Sequence, residues 1–132
     1  MLGRKVLLNE MKKVLIVDDD RYIRELYEEL LKSEGYTVET AVDGEDGLNK
    51  ISAGGYDLIL LDVMMPKIDG YGVLVKLEDQ APKTKNGPII ILTNLANDPI
   101  IDQALTKGAK AAFIKSDHTP QEFLQMVKEY LT

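Results

Sequence analysis

The sequence predicts an α/β fold, a three-layer α/β/α sandwich around a five-stranded parallel sheet in the order 2-1-3-4-5. Three observations carry that prediction. Four short apolar runs, Val14-Leu15-Ile16-Val17, Leu58-Ile59-Leu60-Leu61, Ile89-Ile90-Ile91-Leu92 and Ala111-Ala112-Phe113-Ile114, have the length and composition of strands covered on both faces. The spacing between runs leaves room for one helix each, as in βα units with right-handed crossovers. Every run ends on polar residues: Asp18 and Asp19, Asp62, Thr93 and Lys115. In an open parallel sheet those strand ends share one edge, where ligands bind.

The elements follow in order. The first strand is expected at 13–18. A helix follows it, with Ile23, Leu26, Tyr27, Leu30 and Leu31 at core-facing spacing, and Gly35 is placed to end it in a left-handed conformation. Thr37-Val38-Glu39-Thr40-Ala41 alternates and reads as a second strand near the sheet edge. Asp43-Gly44 turns into a second helix carrying Leu48 and Ile51, which Gly54-Gly55 stops. The third strand, 57–62, leads through Met64-Met65-Pro66-Lys67-Ile68-Asp69-Gly70 into a helix with Val73, Leu74 and Leu77. A polar loop, 81–87, precedes the fourth strand at 88–93. Asp98 as N-cap with Pro99 at the first helical position opens the fourth helix, which ends near Gly108. The fifth strand is expected at 111–115. Thr119-Pro120-Gln121-Glu122 reads as a capping box opening a helix with Phe123, Leu124, Val127, Tyr130 and Leu131 inward. Residues 1–10 stand outside the pattern and read as an N-terminal extension to a single domain of 11–132. Tyr22 and Tyr27 are both expected to be partly buried.

The bulk composition narrows the function. A chain of 132 residues with 45% hydrophobic and 29% charged residues is an ordinary single domain. With no cysteine there is neither a disulfide framework nor a thiolate metal site. A net charge of −6 and scattered lysines argue against nucleic-acid binding. No apolar run approaches the roughly 20 residues that cross a bilayer, and the N-terminus lacks the pattern of a signal peptide. No membrane partner and a cytoplasmic location are the resulting expectations.

The chemistry is concentrated at the strand ends. With strands 1 and 3 adjacent, Asp18, Asp19 and Asp62 lie within a few ångströms of one another, and one of them titrates high unless a cation sits among them. Oxygen ligands of this kind suit octahedral Mg²⁺. Helix capping is the competing explanation, and it is expected to claim Asp20 rather than all three neighbours. Lys115 reads either as a salt-bridge partner or, with Thr93, as a cation and a hydroxyl donor for a tetrahedral anion. A carboxylate beside Mg²⁺ is a competent nucleophile toward phosphorus, and phosphoryl transfer asks mainly for positioning and charge neutralisation.

Val14-Leu15-Ile16-Val17-Asp18-Asp19-Asp20, Asp62-Val63-Met64-Met65-Pro66-Lys67-Ile68-Asp69-Gly70, Ile91-Leu92-Thr93 and Phe113-Ile114-Lys115 together resemble the receiver domain of bacterial response regulators, over about residues 12–131. The resemblance implies a phosphoacceptor of a two-component system or phosphorelay. Asp62 would accept a phosphoryl group from a sensor histidine kinase or a histidine phosphotransfer protein. Asp19, Asp62 and the Met64 carbonyl would ligate Mg²⁺, with Asp18 acting mainly through a metal-bound water. Thr93 and Lys115 would each hold a phosphoryl oxygen. Catalysis would be limited to self-catalysed acceptance and slow autodephosphorylation. Output would pass by contact with an unnamed downstream protein or by onward transfer, from a monomer or a weak dimer using the fourth helix, fifth strand and fifth helix.

Several positions depart from the family pattern. The aromatic usually found three residues before the lysine is Ala112, and Phe113 lies one place later, where strand alternation points it to the other face. Ser116 stands where the family has a cis proline, so the turn into the fifth helix is built otherwise. Asn94 replaces a small residue after Thr93. The residues two places after Asp62 and Thr93, which influence water access, are apolar (Met64 and Leu95), so a long-lived phosphoryl group is expected. His118 reads as an exposed loop residue. Two other families compete for the same residues. A haloacid-dehalogenase-type phosphohydrolase fits Asp18-x-Asp20 but needs Thr or Val where Tyr22 stands. A flavodoxin-type binding module needs a phosphate-cradling loop where Asp18-Asp19-Asp20 would repel a phosphate lacking a metal.

Overall fold

The structure is a computed structural model that describes residues 11–132; the sequence-derived extension, 1–10, lies outside the described residues. Five parallel strands, β1 (Lys13–Val17), β2 (Thr37–Ala41), β3 (Leu58–Asp62), β4 (Ile89–Thr93) and β5 (Ala111–Ile114), form one sheet in the order β2-β1-β3-β4-β5. The helices are α1 (Arg21–Ser33), α2 (Gly44–Ala53), α3 (Gly70–Asp79), α4 (Pro99–Thr106) and α5 (Pro120–Leu131). The expected sandwich and strand order are what the chain adopts.

Strand alternation sorts the core into two halves. Val14, Ile16, Leu58, Leu60, Ile90, Leu92 and Phe113 face α1 and α5, meeting Tyr27, Leu31, Phe123 and Val127. Leu15, Val17, Ile59, Leu61 and Ile91 face the other way, against Ile51 of α2, Val73 and Leu74 of α3 and Ala104 of α4. Both sides of β1, β3 and β4 are therefore covered, which is why these strands read as unbroken apolar runs. β2, open on its outer edge, keeps its alternation.

The helix ends obey the local signals. Asp20, Asp43, Asp69 and Asp98 each cap a helix by accepting a backbone N–H two or three residues ahead, and Thr119 with Glu122 forms the capping box. Gly35, at φ 92°, lets Gly35 and Tyr36 return their N–H groups to the last turn of α1. Two expectations need correction. Strands 1, 3, 4 and 5 are each one residue shorter than read, so Asp18 and Lys115 lie just beyond β1 and β5. Asp18 still donates its N–H to Ala41 O at 3.2 Å, so the ladder outlasts the strand by one bond. Tyr22 is 73% exposed, because the buried stripe of α1 begins at Ile23 and turns Tyr22 outward; Tyr27 is buried rather than partly so.

Candidate functional site

The sheet register builds the site. Val17 pairs with Leu61 in the β1–β3 ladder, so one further step brings Asp18 alongside Asp62. Asp62 pairs with Leu92 of β4, and Thr93 follows it at the same rim. Thr93 in turn pairs with Ile114, immediately before Lys115. Parallel neighbours in register thus carry every polar strand-end residue singled out in the sequence to one edge.

At that edge, carboxylate oxygens of Asp18, Asp19 and Asp62 all lie within 4.8 Å of one another. The three neighbouring acids after β1 hold distinct positions. Asp18 is fully buried, with Oδ1 accepting the Asp20 N–H at 2.9 Å and Oδ2 facing Lys115 Nζ at 3.1 Å. Asp19 is exposed at the mouth. Asp20 caps α1 through Ile23 N at 3.2 Å, as expected. Arg24, which the sequence reading passed over, donates from Nη1 to the Asp18 carbonyl at 2.8 Å and fixes the chain where it leaves the sheet. A side-chain bond to a carbonyl six residues back has no residue-level signature.

Asp62 is 5% exposed. Its Oδ1 accepts the Met64 N–H at 3.3 Å, and its Oδ2 lies 3.6 Å from Lys115 Nζ. Burial, followed by repulsion from Asp18, pushes its carboxyl up to about 7, against the opposing pull of Lys115. One ammonium stands against three carboxylates at this edge. The donor set is hard oxygen only, the charge is uncompensated and Asp19 remains open to solvent, so the cluster could hold a cation of the Mg²⁺ type. Thr93 is buried, and its Oγ1 accepts the Leu95 N–H at 2.9 Å, leaving its hydroxyl proton to donate elsewhere. Met64 is 61% exposed and Leu95 is half-buried beside the site.

The β5 side matches the alternation argument. Ala112 belongs to the half-core that includes Ile91, while Phe113 packs on the opposite face, edge-on to Phe123, which stacks on Tyr27 with ring centres 3.9 Å apart. Where a larger residue at 112 would project, a cleft of about 580 Å³ lies open between Ala96, Ile101, Ala112 and Ile114. Lys115 leads into a single 3₁₀ turn, Lys115–Asp117, which replaces the proline-based turn. His118 is exposed, as read, but also stacks on Phe113 at 4.3 Å and lies 3.6 Å from Glu122.

The sequence profile described as the response regulator receiver domain matches residues 14–128. The chain is 39% identical to the chemotaxis protein CheY of Treponema pallidum over 78% of its own length and 72% of that protein. It is also 39% identical to the probable transcriptional regulator ycf27 of Guillardia theta, covering 94% of this chain but only 47% of that relative. The chain thus spans about half the length of that second relative. A CheY-like receiver domain crystal structure from Methanospirillum hungatei superposes with a TM-score of 0.80 at 33% identity, over 92% of this chain and 94% of the other. Among the described residues, no helix is long and apolar enough to cross a membrane.

The raised Asp62 carboxyl has a measurable consequence. Its folded value lies above the unfolded one, so its charge destabilises the metal-free fold above about pH 7, and the penalty disappears as pH falls below about 4. Asp62→Asn is expected to raise stability at pH 8 in chelator by on the order of 2 kcal/mol and to leave it unchanged near pH 4. Thermal melts of both proteins at the two pH values check this.

Proposed function

This chain belongs to the response regulator receiver domain family of two-component signalling, and we propose that Asp62 is its phosphoacceptor. The observation that carries the reading is the meeting of Asp18, Asp19 and Asp62 within 4.8 Å, with Lys115 bridging two of them. Family members interact with histidine kinases and downstream effectors. The donor proposed here is a phosphohistidine on such a kinase or on a histidine phosphotransfer protein.

In the proposed reaction a carboxylate oxygen of Asp62 attacks phosphorus in line with the phosphorus–nitrogen bond. That bond breaks, its electron pair returns to the imidazole nitrogen, which takes up a proton, and an acyl phosphate forms on Asp62. Asp19, Asp62 and the Met64 carbonyl would hold Mg²⁺, with Asp18, both of whose oxygens are engaged, acting through water. When bound, that ion supplies neutralising charge at the phosphoryl oxygens. Lys115, 3.6 Å from Asp62, would shift its ammonium to a phosphoryl oxygen. The Thr93 hydroxyl would donate to another, an exchange that gives the β4–α4 loop a cue to move inward.

The unit proposed to do this is 11–132, in the cytoplasm, with 1–10 appended. Its output would be contact with a downstream protein or onward transfer, and any dimer would be weak and use the α4, β5 and α5 face. Ala112 and the open cleft beside it support a switch without an inward-turning aromatic.

Incubation with a phosphorylated histidine kinase and Mg²⁺ is expected to move radiolabel onto this chain, and chelator to abolish the transfer. Absence of transfer from several such kinases and from small phosphodonors alike would refute the reading. Met64 and Leu95 offer no group that orients an attacking water, so the acyl phosphate should be long-lived. Met64→Asn with Leu95→Glu is expected to shorten its half-life by roughly tenfold; an unchanged half-life sinks the idea.

A further inference from the structure

Lys67 lies in the β3–α3 loop with φ 68°, a left-handed backbone that glycine adopts far more readily than lysine. Its side chain is engaged: Nζ stands 3.4 Å from Asp43 Oδ2 and 3.9 Å from Glu45 Oε2, across the gap to the start of α2. Asp43 is well placed for this, with its side chain 14% exposed and its other oxygen, Oδ1, fixed by the Asp46 N–H at 2.8 Å. The two loops also touch through their backbones. A Cβ on Gly44 would come within 1.6 Å of the Ile68 carbonyl oxygen, so a glycine there lets them close. Ile68 packs its side chain against the half-core beneath.

The same loop begins at Met64, whose N–H already bonds Asp62, and ends at Gly70, whose N–H returns to Val63 O at 3.0 Å. Its middle carries two exposed residues, Pro66 and Lys67; Met65 and Ile68 on either side pack on the half-core, and the Lys67 ion pairs tie the exposed stretch to α2. We propose that Lys67 is a positioning residue: by tying the β3–α3 loop to Asp43 and Glu45 at the head of α2, it holds the Met64 carbonyl in place and so sets the affinity of the rim for Mg²⁺. This inference rests on the Mg²⁺ reading of the rim. Partners one step removed from a metal commonly tune its binding by orienting the ligands, and a left-handed lysine where glycine is easier is the kind of local strain that function retains.

The test is calorimetric titration of the full chain with Mg²⁺ alone. Lys67→Gly relaxes the backbone and removes the ammonium, so a loss of affinity cannot be put down to a strained fold. Asp43→Asn keeps the N-cap of α2 while removing the charge. Lys67→Gly is expected to weaken Mg²⁺ binding by about three- to fivefold, Asp43→Asn by less because Glu45 remains, and the double variant no more than Lys67→Gly alone. The melting temperature of Lys67→Gly should be equal to or above that of the wild type. Unchanged affinity in Lys67→Gly, or losses that multiply in the double variant, overturns the proposal while the Mg²⁺ site stands. A wild-type chain that binds no Mg²⁺ removes the site and the proposal together.

Discussion

The rest of the structure depends on the forced proximity of Asp18 and Asp62, with Lys115 as the cation between them. Like charges about 4 Å apart at an effective dielectric near 20 repel by about 4 kcal/mol, similar to what one ammonium returns by attracting either partner. A single lysine therefore leaves two buried carboxylates and an exposed third short of balance, before the loss of their hydration is counted. Burial first, and repulsion from Asp18 second, make Asp62 titrate high. A cation or a phosphoryl group bound with one would relieve that repulsion, which makes the rim receptive.

What keeps this strained edge together is apolar packing below it. Each fully buried leucine or isoleucine contributes about 1.5–3 kcal/mol, and β1 and β3 each hold four apolar residues with no exposed surface. Two or three of those side chains outweigh the repulsion at the rim. The same strands set the geometry, because parallel pairing in register turns adjacency in the sheet into adjacency of strand ends. Asp20 and Arg24 then fix the exit of the chain after β1, while Met64 N–H and the Gly70 turn fix it after β3. Stability and function are thus divided between the interior of the sheet and its edge.

Most of this was legible in the sequence wherever the signal is local or periodic. The apolar runs gave the strands, and their polar terminators gave the rim. Asp98-Pro99 and Thr119-Pro120-Gln121-Glu122 gave two helix starts, and strand alternation gave the opposite facing of Ala112 and Phe113. Strands 1 and 5 are expected one residue too long at their ends, where Asp18 and Lys115 follow the apolar runs directly, and strands 3 and 4 one too long at their starts, where Asp57 and Pro88 precede them. Tyr22 was misplaced because one position on a helix turns a side chain by about 100°. Contacts between distant segments left no local trace: Arg24 on the Asp18 carbonyl, Lys67 on Asp43, and the Tyr27–Phe123–Phe113 aromatic cluster all depend on which loops and helices meet in space.

The phosphoacceptor role proposed for Asp62 is open to direct measurement. Its most direct test is to incubate the chain with Mg²⁺ and a small phosphodonor and locate the added mass by peptide mass spectrometry, with Asp62→Ala alongside. The expected result is one phosphoryl group on the peptide containing Asp62, and none on the variant. A phosphoryl group on another residue, or an equal yield on folded Asp62→Ala, would contradict it.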